Sequence, residues 1–299
     1  MFTEQQRESL DFFNRHAHQW SDKADGLNPE IVNVVQQRNS FVLEVVLKHR
    51  PNIHVSLDVG CGTGELVRDI AKTGISAVGV DYAEKMISIA REKSQTEGGG
   101  NVTYHCSSIF DLNSNDGSYD LISANGFIEY ISLEQLHTFL QICQKSLTPR
   151  GSLVLGSRNR LYNLFSLNDF TETEIRSGFV NDLLLEAIAL ARGVALQELC
   201  CIQTAPLQGT DSQHSDTGIQ VNTRFQYTPA QLIQLLSHYG FQTVQLYPVH
   251  IHSVPQVFKT RYPQIHTTIS NTLQTYAFDN TSLIPYASTF MLHAFKSVV

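Results

Sequence analysis

The sequence predicts an α/β fold in which helices cover both faces of a parallel sheet. Three observations lead to this prediction: five short apolar runs, helical periodicity between consecutive runs, and a glycine-rich turn after the first run. The runs are residues 53–59, 76–80, 102–106, 119–124 and 152–156. A chain of 299 residues is long enough to bury such a core, so we expect one domain with appended segments.

The turn after the first run carries glycine at three alternate positions, Gly60, Gly62 and Gly64. Glycine lets the backbone turn sharply and approach a ligand closely. An amphipathic stretch follows, so the free N–H groups of a helix start would favour an anionic group at the same place. The dinucleotide pattern G-x-G-x-x-G fails here, because its sixth position is Glu65. A plain tight turn is the alternative interpretation of the glycines.

The second run ends at Asp81. Folds of this type place a carboxylate there, and it can accept hydrogen bonds from both hydroxyls of a ribose. The spacing Asp58-x-Gly60-x-Gly62-x-Gly64, followed by Asp81, resembles the class I S-adenosylmethionine-dependent methyltransferases. Residues 13–20 resemble the N-terminal lid of the small-molecule, quinone-biosynthesis members of that class. The resemblance covers roughly residues 55–157.

This resemblance implies a Rossmann-like, doubly wound sheet of seven strands, mostly parallel with an antiparallel last strand, plus helical lid insertions. Residues 241–247 and 288–295 are the two closing strands. The implied cofactor is S-adenosyl-L-methionine. Its predicted binding residues are Trp20, Asp58, Gly60, Cys61, Gly62, Gly64, Asp81, Tyr82, Met86, Ser108, Ile109 and Asn125.

One position departs from the family pattern. An aspartate often follows the third strand in this family and binds the adenine amino group, but Ser108 stands there. A hydroxyl accepts a hydrogen bond more weakly than a carboxylate does. Asp111 is an alternative acceptor, and Ile109 offers an apolar face to the ring.

Four segments organise the chain in this interpretation: a helical lid (1–50), the cofactor-binding core (51–158), a substrate-cover insertion (159–226) and the C-terminal part of the core (227–299). In the lid, Trp20 either closes over the cofactor or only anchors a helix over residues 3–20. In the insertion we expect an apolar helix over residues 179–199, with a membrane-surface helix as the lesser alternative, and a polar loop over 208–216.

Methyl transfer from a sulfonium needs alignment and a dry pocket, and it needs a base only when the acceptor is protonated. The fourth motif lies beside the methyl group in the family, which makes Glu129 and Tyr130 candidates for catalysis. Histidine has a suitable pKa for a base, which adds three further candidates, although each is also compatible with a structural or surface role. These are His18, His214 and His250. The residues predicted to bind substrate are Phe127, Arg158, Asn159 and Tyr162, whereas we expect Arg160 to be solvated.

The positions of the histidines and cysteines give little support for a metal site or a disulfide. His250 and His252 share one side of an extended chain, but no third ligand is identifiable, so we expect no metal. None of the five cysteines forms a Cys-x-x-Cys pair. Adjacent Cys200 and Cys201 suggest either arsenic-binding thiols or buried small hydrophobes, and their apolar surroundings favour the second.

Charge narrows the class of partner. The formal net charge is −7 and no cluster of lysine and arginine stands out, which argues against nucleic acid. No apolar run is long enough for a bilayer and the first residues form no signal peptide, so we expect a cytoplasmic protein without a membrane partner, possible as a homodimer.

We therefore expect an enzyme that transfers the methyl group of S-adenosylmethionine to a small-molecule acceptor, at a hydroxyl oxygen in preference to nitrogen or carbon. The rivals are an N- or C-methyltransferase, a non-methylating protein that binds S-adenosylmethionine on the same fold, and a methyltransferase of proteins or nucleic acids.

Overall fold

The computed structural model describes residues 4–26, 31–98, 100–112, 116–209, 213–214, 219–222 and 225–297. Seven strands form the main sheet, and two short ones form a separate pair. The main strands are β1 (Val55–Val59), β2 (Ser76–Asp81), β3 (Val102–Cys106), β4 (Tyr119–Asn125), β5 (Leu147–Arg158), β8 (Phe241–Ile251) and β9 (Ala287–Lys296), and the pair is β6 (Gln213–His214) and β7 (Ile219–Asn222).

The strands of the main sheet lie in the order β3-β2-β1-β4-β5-β9-β8. The first five are paired in parallel, whereas β9 runs antiparallel to both of its neighbours, β5 and β8. The predicted fold class, a mostly parallel seven-stranded sheet with an antiparallel last strand, is confirmed.

Helices cover both faces of this sheet. They are α1 (Glu4–Arg15), α2 (Ala17–Ala24), α3 (Val34–Lys48), α4 (Glu65–Lys72), α5 (Glu84–Thr96), α6 (Leu133–Ser146), α7 (Asn163–Ser166), α8 (Asp169–Ser177), α9 (Val180–Ala191), α10 (Leu196–Leu199), α11 (Pro229–His238), α12 (Gln256–Arg261) and α13 (Pro263–Gln274).

Adjacent residues of the central strands enter different cores. Leu121 of β4 and Val154 of β5 pack in one apolar cluster, whereas their neighbours Ile122 and Leu153 pack in the other. Successive side chains of a strand point to opposite faces, so a sheet that is buried on both faces needs apolar runs rather than alternation. This is why the strands were visible as short continuous apolar runs.

The N-terminal segment differs from the prediction in its boundaries. The single helix expected over residues 3–20 is two helices, which separate at His16 (φ −109°, ψ 16°). Trp20 packs with Phe13 against a small cluster that contains Met86 of α5. Helix α3 begins at Val34, where the Asn33 side chain accepts a hydrogen bond from the backbone of Gln36 (2.9 Å) and caps the helix.

The insertion between β5 and α11 is a set of short helices rather than one long helix. The helix expected over residues 179–199 is interrupted between α9 and α10. Strand β7 packs against α1, so the N-terminal segment and the insertion meet. Among the described residues, no helix combines the length and apolar character that a bilayer crossing requires.

The solvated position expected for Arg160 is wrong. Arg160 is buried and its guanidinium contacts both carboxylate oxygens of Glu174 on α8 (2.8 and 2.7 Å). It also donates a hydrogen bond to the carbonyl of Pro206 (2.6 Å). Arginine is suited to such a bidentate pairing, which here joins the start of the insertion, two residues after β5, to α8 within it.

Candidate active site

The main cavity lies at the carboxyl ends of the parallel strands, where open α/β sheets bind their ligands. Two groups of residues line it. The glycine half, contributed by β1 to β3 and the turns and helix that follow them, comprises Val59, Gly60, Gly62, Val80, Asp81, Tyr82, Met86, Ser107, Ser108, Ile109 and Phe110. The arginine half, contributed by the other strands and the N-terminal helices, comprises Phe13, Trp20, Lys23, Arg38, Asn125, Phe127, Glu129, Tyr130, Arg158, His250, Ser288 and Thr289.

The glycine turn of the first half has a backbone that other residues rarely adopt. Gly60 and Gly62 have φ values of 71° and 52°. The N–H of Gly60 donates to the carbonyl of Val80 at the end of β2 (2.8 Å). A Cβ on Gly62 would lie 3.4 Å from the indole nitrogen of Trp20. The turn is therefore fixed to β2, and Trp20 lies directly over it.

Asp81 is held in place by the backbone. Its Oδ1 accepts from the N–H of Ala83 (2.8 Å) and its Oδ2 from the N–H of Gly62 (3.0 Å). Burial raises the pKa of Asp81, and backbone N–H groups from Ala83, Gly62 and Tyr82 oppose that rise. Each carboxylate oxygen can accept a second hydrogen bond, so the side chain can still bind a diol in the cavity.

Three predicted cofactor residues lie off the cavity. Asp58 is buried on β1, where its Oδ1 accepts from the hydroxyl of Ser123 (2.6 Å) and burial raises its pKa to about 7. The Cys61 thiol is buried, and a Cβ on Gly79 would lie 2.8 Å from its sulfur. A Cβ on Gly64 would meet the Tyr104 hydroxyl at 2.6 Å. Asp58 thus joins β1 to β4, and Cys61 and Gly64 are the part of the turn that packs against β2 and β3, which corrects their predicted place in the pocket.

The part of the cavity that is predicted to hold adenine has one polar and one apolar wall. Ser108 and Ile109 line the cavity, together with Met86 and Tyr82 of the preceding helix segment. The Ser108 hydroxyl also accepts a long hydrogen bond from the N–H of Phe110 (3.3 Å). Asp111, the alternative acceptor, is exposed and is not among the residues that line the cavity.

The arginine half collects three cationic side chains around one carboxylate. Glu129 is buried; its Oε2 accepts from the backbone N–H of Arg158 (2.9 Å), and its Oε1 lies 3.6 Å from the Nε of that residue. Arg38 donates to the hydroxyl of Thr289 (3.1 Å). Burial lowers the pKa of Lys23, and the nearby charges of Arg38 and Arg158 lower it further.

Aromatic rings form the rest of this half. Phe13 packs edge-on against both Trp20 and Tyr130, with ring centroids 5.8 and 6.1 Å apart. Phe127 lies beside the glycine turn, with its ring 3.7 Å from a Cβ built on Gly60. Burial raises the pKa of the Tyr130 hydroxyl, and the charge of Glu129 raises it further. Aromatic rings and cationic side chains therefore border the same part of the cavity.

Other predicted catalytic and substrate residues lie elsewhere. His18 is exposed on α2 and is not among the residues lining the cavity. The side chain of His214 falls outside the described part of the structure. Asn159 is buried, and its side-chain amide donates hydrogen bonds to the carbonyls of Ile284 (2.7 Å) and Ala287 (2.9 Å). The amide therefore stabilises the packing of these segments. These placements correct the expectation for His18 and Asn159.

A second, smaller cavity adjoins the first, and the predicted substrate residue Tyr162 lies there instead of on the main wall. Arg158, His250 and Ser288 line both cavities. The ring of Tyr162 lies 4.6 Å from that of His252.

His266 of α13 lies beside His250 and His252. It is the third histidine of this group, and the sequence did not reveal it. One ring nitrogen from each of His250, His252 and His266 lies within 4.8 Å of the other two, and all three residues are buried. Burial and neighbouring positive charge lower the pKa of His252 to about 2 and that of His266 to about 4. The pKa of His250 is also well below its usual value, chiefly through burial.

Sequence reasoning also missed Lys23 and Arg38. Neither stands in a motif, since each occupies an ordinary position in an N-terminal helix. Only the fold brings Arg38 to Thr289, which lies 251 positions away. A cation on a helix face that is otherwise apolar is the one signal that the sequence held.

A family model described as a methyltransferase domain matches residues 57–151, which contain the glycine turn, Asp81 and Glu129. The ubiquinone biosynthesis O-methyltransferase of Hydrogenovibrio crunogenus is 26% identical over 216 residues, which are 66% of this chain and 84% of that protein. The mitochondrial enzyme of the same name from Rattus norvegicus is 28% identical over 218 residues. That match also covers 66% of this chain but only 62% of the rat protein, less than two thirds of its length.

Among solved structures, the 1,6-didemethyltoxoflavin-N1-methyltransferase of Burkholderia thailandensis, with bound S-adenosylhomocysteine, has the same fold. The TM-score is 0.56 at 13% identity, over 100% of this chain and 92% of that one. The glycine half fits such a cofactor, because its turn exposes backbone where any side chain would meet Trp20 or Phe127, and Asp81 keeps acceptor capacity. Residues 57–151 are therefore a methyltransferase domain, and the protein is an S-adenosylmethionine-dependent methyltransferase with S-adenosylmethionine as its cofactor.

Proposed function

We propose that this enzyme methylates a hydroxyl oxygen of a small, planar acceptor that carries an acidic group. The observation that carries the proposal is the charge of the arginine half: Lys23, Arg38 and Arg158 line it together with a single carboxylate, Glu129, which contacts Arg158, and with several aromatic rings. Arg38 and Arg158 are half-buried, and the Nε atom of each is buried without a hydrogen-bond partner among the described residues. Partly desolvated cations favour an anionic partner, so an anionic acceptor completes the site. Planar guanidinium groups are well suited to a carboxylate or a phenolate.

S-adenosylmethionine supplies an activated methyl group, so the protein contributes alignment and a dry environment. Trp20 and Phe127 lie next to the glycine turn and border the space that the acceptor ring would occupy. The cations beside it favour the ionised form of the acceptor hydroxyl, which is the form that attacks. Helices α1 and α2 cover this space and exclude water from it.

The proton of the hydroxyl needs an acceptor when the hydroxyl is not already ionised. We assign this role to Glu129, which Arg158 orients through two contacts. Tyr130 is a poor base because its raised pKa keeps its proton in place. His250 engages neighbours with both nitrogens, since Nδ1 lies 3.2 Å from the Ser288 hydroxyl and Nε2 lies 3.0 Å from His266.

Methylation at oxygen is further supported by the relatives, whose names describe O-methyltransferases. The five cysteines are all free thiols, which suits a reducing compartment, and we propose that the reaction takes place in the cytoplasm. The rival is a protein that binds the cofactor without transferring its methyl group.

The test is a panel of acceptors that share one aromatic ring. The panel compares a hydroxyl with a neighbouring carboxylate, the same hydroxyl without the carboxylate, and an amine with the carboxylate. Mass spectrometry measures S-adenosylhomocysteine and the mass gain of the acceptor. We expect the acidic hydroxyl compound to react at least about tenfold faster than the neutral one, corresponding to a charge-assisted hydrogen bond of about 1.5 kcal/mol.

The Arg38→Met variant should lose this preference, whereas Arg38→Lys should keep part of it. Faster reaction of the amine would move the assignment to nitrogen. Tight cofactor binding without S-adenosylhomocysteine from any acceptor would favour the non-methylating rival.

A further inference from the structure

A cluster of three buried histidines lies behind the arginine half, and the proposed reaction does not use it as a unit. His250 lies near the end of β8, His252 follows that strand, and His266 lies in the first turn of α13. The Nε2 atoms of His250 and His266 are 3.0 Å apart. The ring of His252 lies 4.2 Å from that of His250 and 4.7 Å from that of His266.

The cluster leaves polar atoms without partners. Both ring nitrogens of His252 and the Nδ1 of His266 are buried and find no hydrogen-bond partner among the described residues. Buried polar groups are normally paired, because leaving one unpaired loses its hydration without compensation. Unpaired nitrogens on two adjacent buried imidazoles suit a ligand that binds between the rings.

A metal ion between the rings would give one of the unpaired His252 nitrogens a partner, and it would be held on its other side by the Nε2 atoms of His250 and His266. Neutral imidazole is a common ligand of zinc and of related divalent ions, with Zn–N distances of about 2.0–2.1 Å. Two ligand atoms of a tetrahedral site at that distance are about 3.3 Å apart. The pair of Nε2 atoms is close to this value. The ligand nitrogen of His252 lies within 4.8 Å of the other two, so it has to move nearer by up to about 1.5 Å to enter the same sphere.

We propose that His250, His252 and His266 bind one divalent transition-metal ion of the zinc class. Three protein ligands leave the fourth position open, as in zinc sites that exchange a ligand. His250 and His252 both line the smaller cavity, so the open position is reached from there. Lys259 lines the same cavity, and its positive charge favours an anionic oxygen, such as hydroxide, as the fourth ligand.

The test uses full-length protein without an affinity tag, stripped of metal by a chelator. Zn²⁺ is titrated by calorimetry, and Co²⁺ is added separately to record its ligand-field absorption. We expect one ion per chain and a Co²⁺ spectrum typical of four-coordinate nitrogen and oxygen ligands. His252→Gln and His266→Gln should each weaken Zn²⁺ binding at least about tenfold, since even residues that only orient metal ligands have effects of that size.

The matched control is His293→Gln. His293 is equally buried, but it lies on β9 and pairs with the hydroxyl of Ser152 (3.1 Å), outside the cluster. This variant should bind Zn²⁺ like the parent. Binding of S-adenosylhomocysteine verifies that each variant is folded.

The proposal is overturned when the parent binds no Zn²⁺ at micromolar concentrations. It is also overturned when folded His252→Gln and His266→Gln variants bind Zn²⁺ as the parent does, or when Co²⁺ shows the intense bands of thiolate ligands. Should the variants not fold, the stoichiometry and the Co²⁺ spectrum of the parent still decide the outcome. A failure of the methylation assay leaves these measurements unaffected.

Discussion

The two halves of the main cavity differ in how they are held. The glycine half rests on hydrogen bonds from the backbone of the glycine turn to β2: the N–H of Gly60 donates to the carbonyl of Val80, and the N–H of Gly62 donates to the carboxylate of Asp81. The arginine half rests on side chains from distant segments, such as Arg38 with Thr289 and Arg158 with Glu129. The first half is therefore a local structure, and the second exists only when the whole sheet and its insertion are in place.

Because of this difference, the two halves should respond to different substitutions. Substitutions in the glycine half should change cofactor binding directly. Substitutions far from the cavity should reach the arginine half through the fold and leave the affinity for the cofactor as it is. Four experiments sharpen or contradict this contrast, in order of the expected effect.

The largest effect is expected for Arg160→Met. The substitution leaves the Glu174 carboxylate buried without its ion-pair partner, and breaking such a pair costs about 3–5 kcal/mol of unfolding free energy. Denaturant unfolding measures this loss. At temperatures where the variant stays folded, its affinity for S-adenosylhomocysteine should equal that of the parent.

The control is Arg176→Met, because Arg176 and Glu172 form an exposed pair at 3.7 Å on α8. Exposed pairs of this spacing contribute about 0.3–0.5 kcal/mol, so this variant should be nearly as stable as the parent. Similar losses of unfolding free energy in the two variants would show that the buried Arg160–Glu174 pair stabilises the insertion no more than an exposed pair does.

Gly62→Val should abolish cofactor binding. The positive φ strains any other residue by about 1–3 kcal/mol, and the new side chain meets Trp20. We expect calorimetry to show S-adenosylhomocysteine binding at least about 100-fold weaker, which is about 2.8 kcal/mol. Gly98→Val is the control, since Gly98 also has a positive φ (69°) but open space around it. Near-native affinity in Gly62→Val would remove the glycine turn from the site.

Asp81→Ala should weaken the cofactor by about 1.5–3 kcal/mol, the range for hydrogen bonds to a charged group. The matched control is Asp58→Asn, which changes a buried acid on the neighbouring strand that does not line the cavity. Its affinity for S-adenosylmethionine should match that of the parent. Equal weakening in both variants would mean that the carboxylates act through the turn and not on the ribose.

The smallest effect concerns the two covers. Helix α9 is already packed, with Leu183 and Leu190 buried and the Glu186 carboxylate accepting from the N–H of Ala230 (2.8 Å). Hydrogen exchange should therefore show added protection at α1 and α2 when S-adenosylhomocysteine binds, and little change in α9. Added protection in α9 alone would make the insertion, and not the segment around Trp20, the moving cover.

The same contrast explains which parts were predictable from the sequence. The glycine turn and Asp81 were recognisable because their chemistry demands particular residue types close together in the chain. The arginine half was not, because Lys23 and Arg38 look like ordinary helix residues until the fold places them. His266 was missed for the same reason, since nothing in its own helix marks it as a neighbour of His250.

Strand boundaries were likewise predictable only where they depend on local sequence. Strand β3 has the predicted limits because its apolar run ends where its pairing ends. Strand β5 is longer than predicted, since Leu147 already pairs with Tyr119 and Arg158 pairs with Thr289, contacts that depend on partner strands and not on local hydrophobicity. Arg160 was predicted to be solvated because its partner Glu174 belongs to a helix that the sequence did not delimit.

The position of β9 also dictates an order of assembly. Strand β8 pairs with β9 alone, and β9 separates it from β5. During synthesis β8 emerges from the ribosome first, yet it has no edge to join until β9 has been made. Until then β5 presents an unpaired edge, which is the kind of surface that promotes association between chains. The slow step of folding should therefore be the docking of this last pair of strands, and with it the arrival of His250 at the cavity.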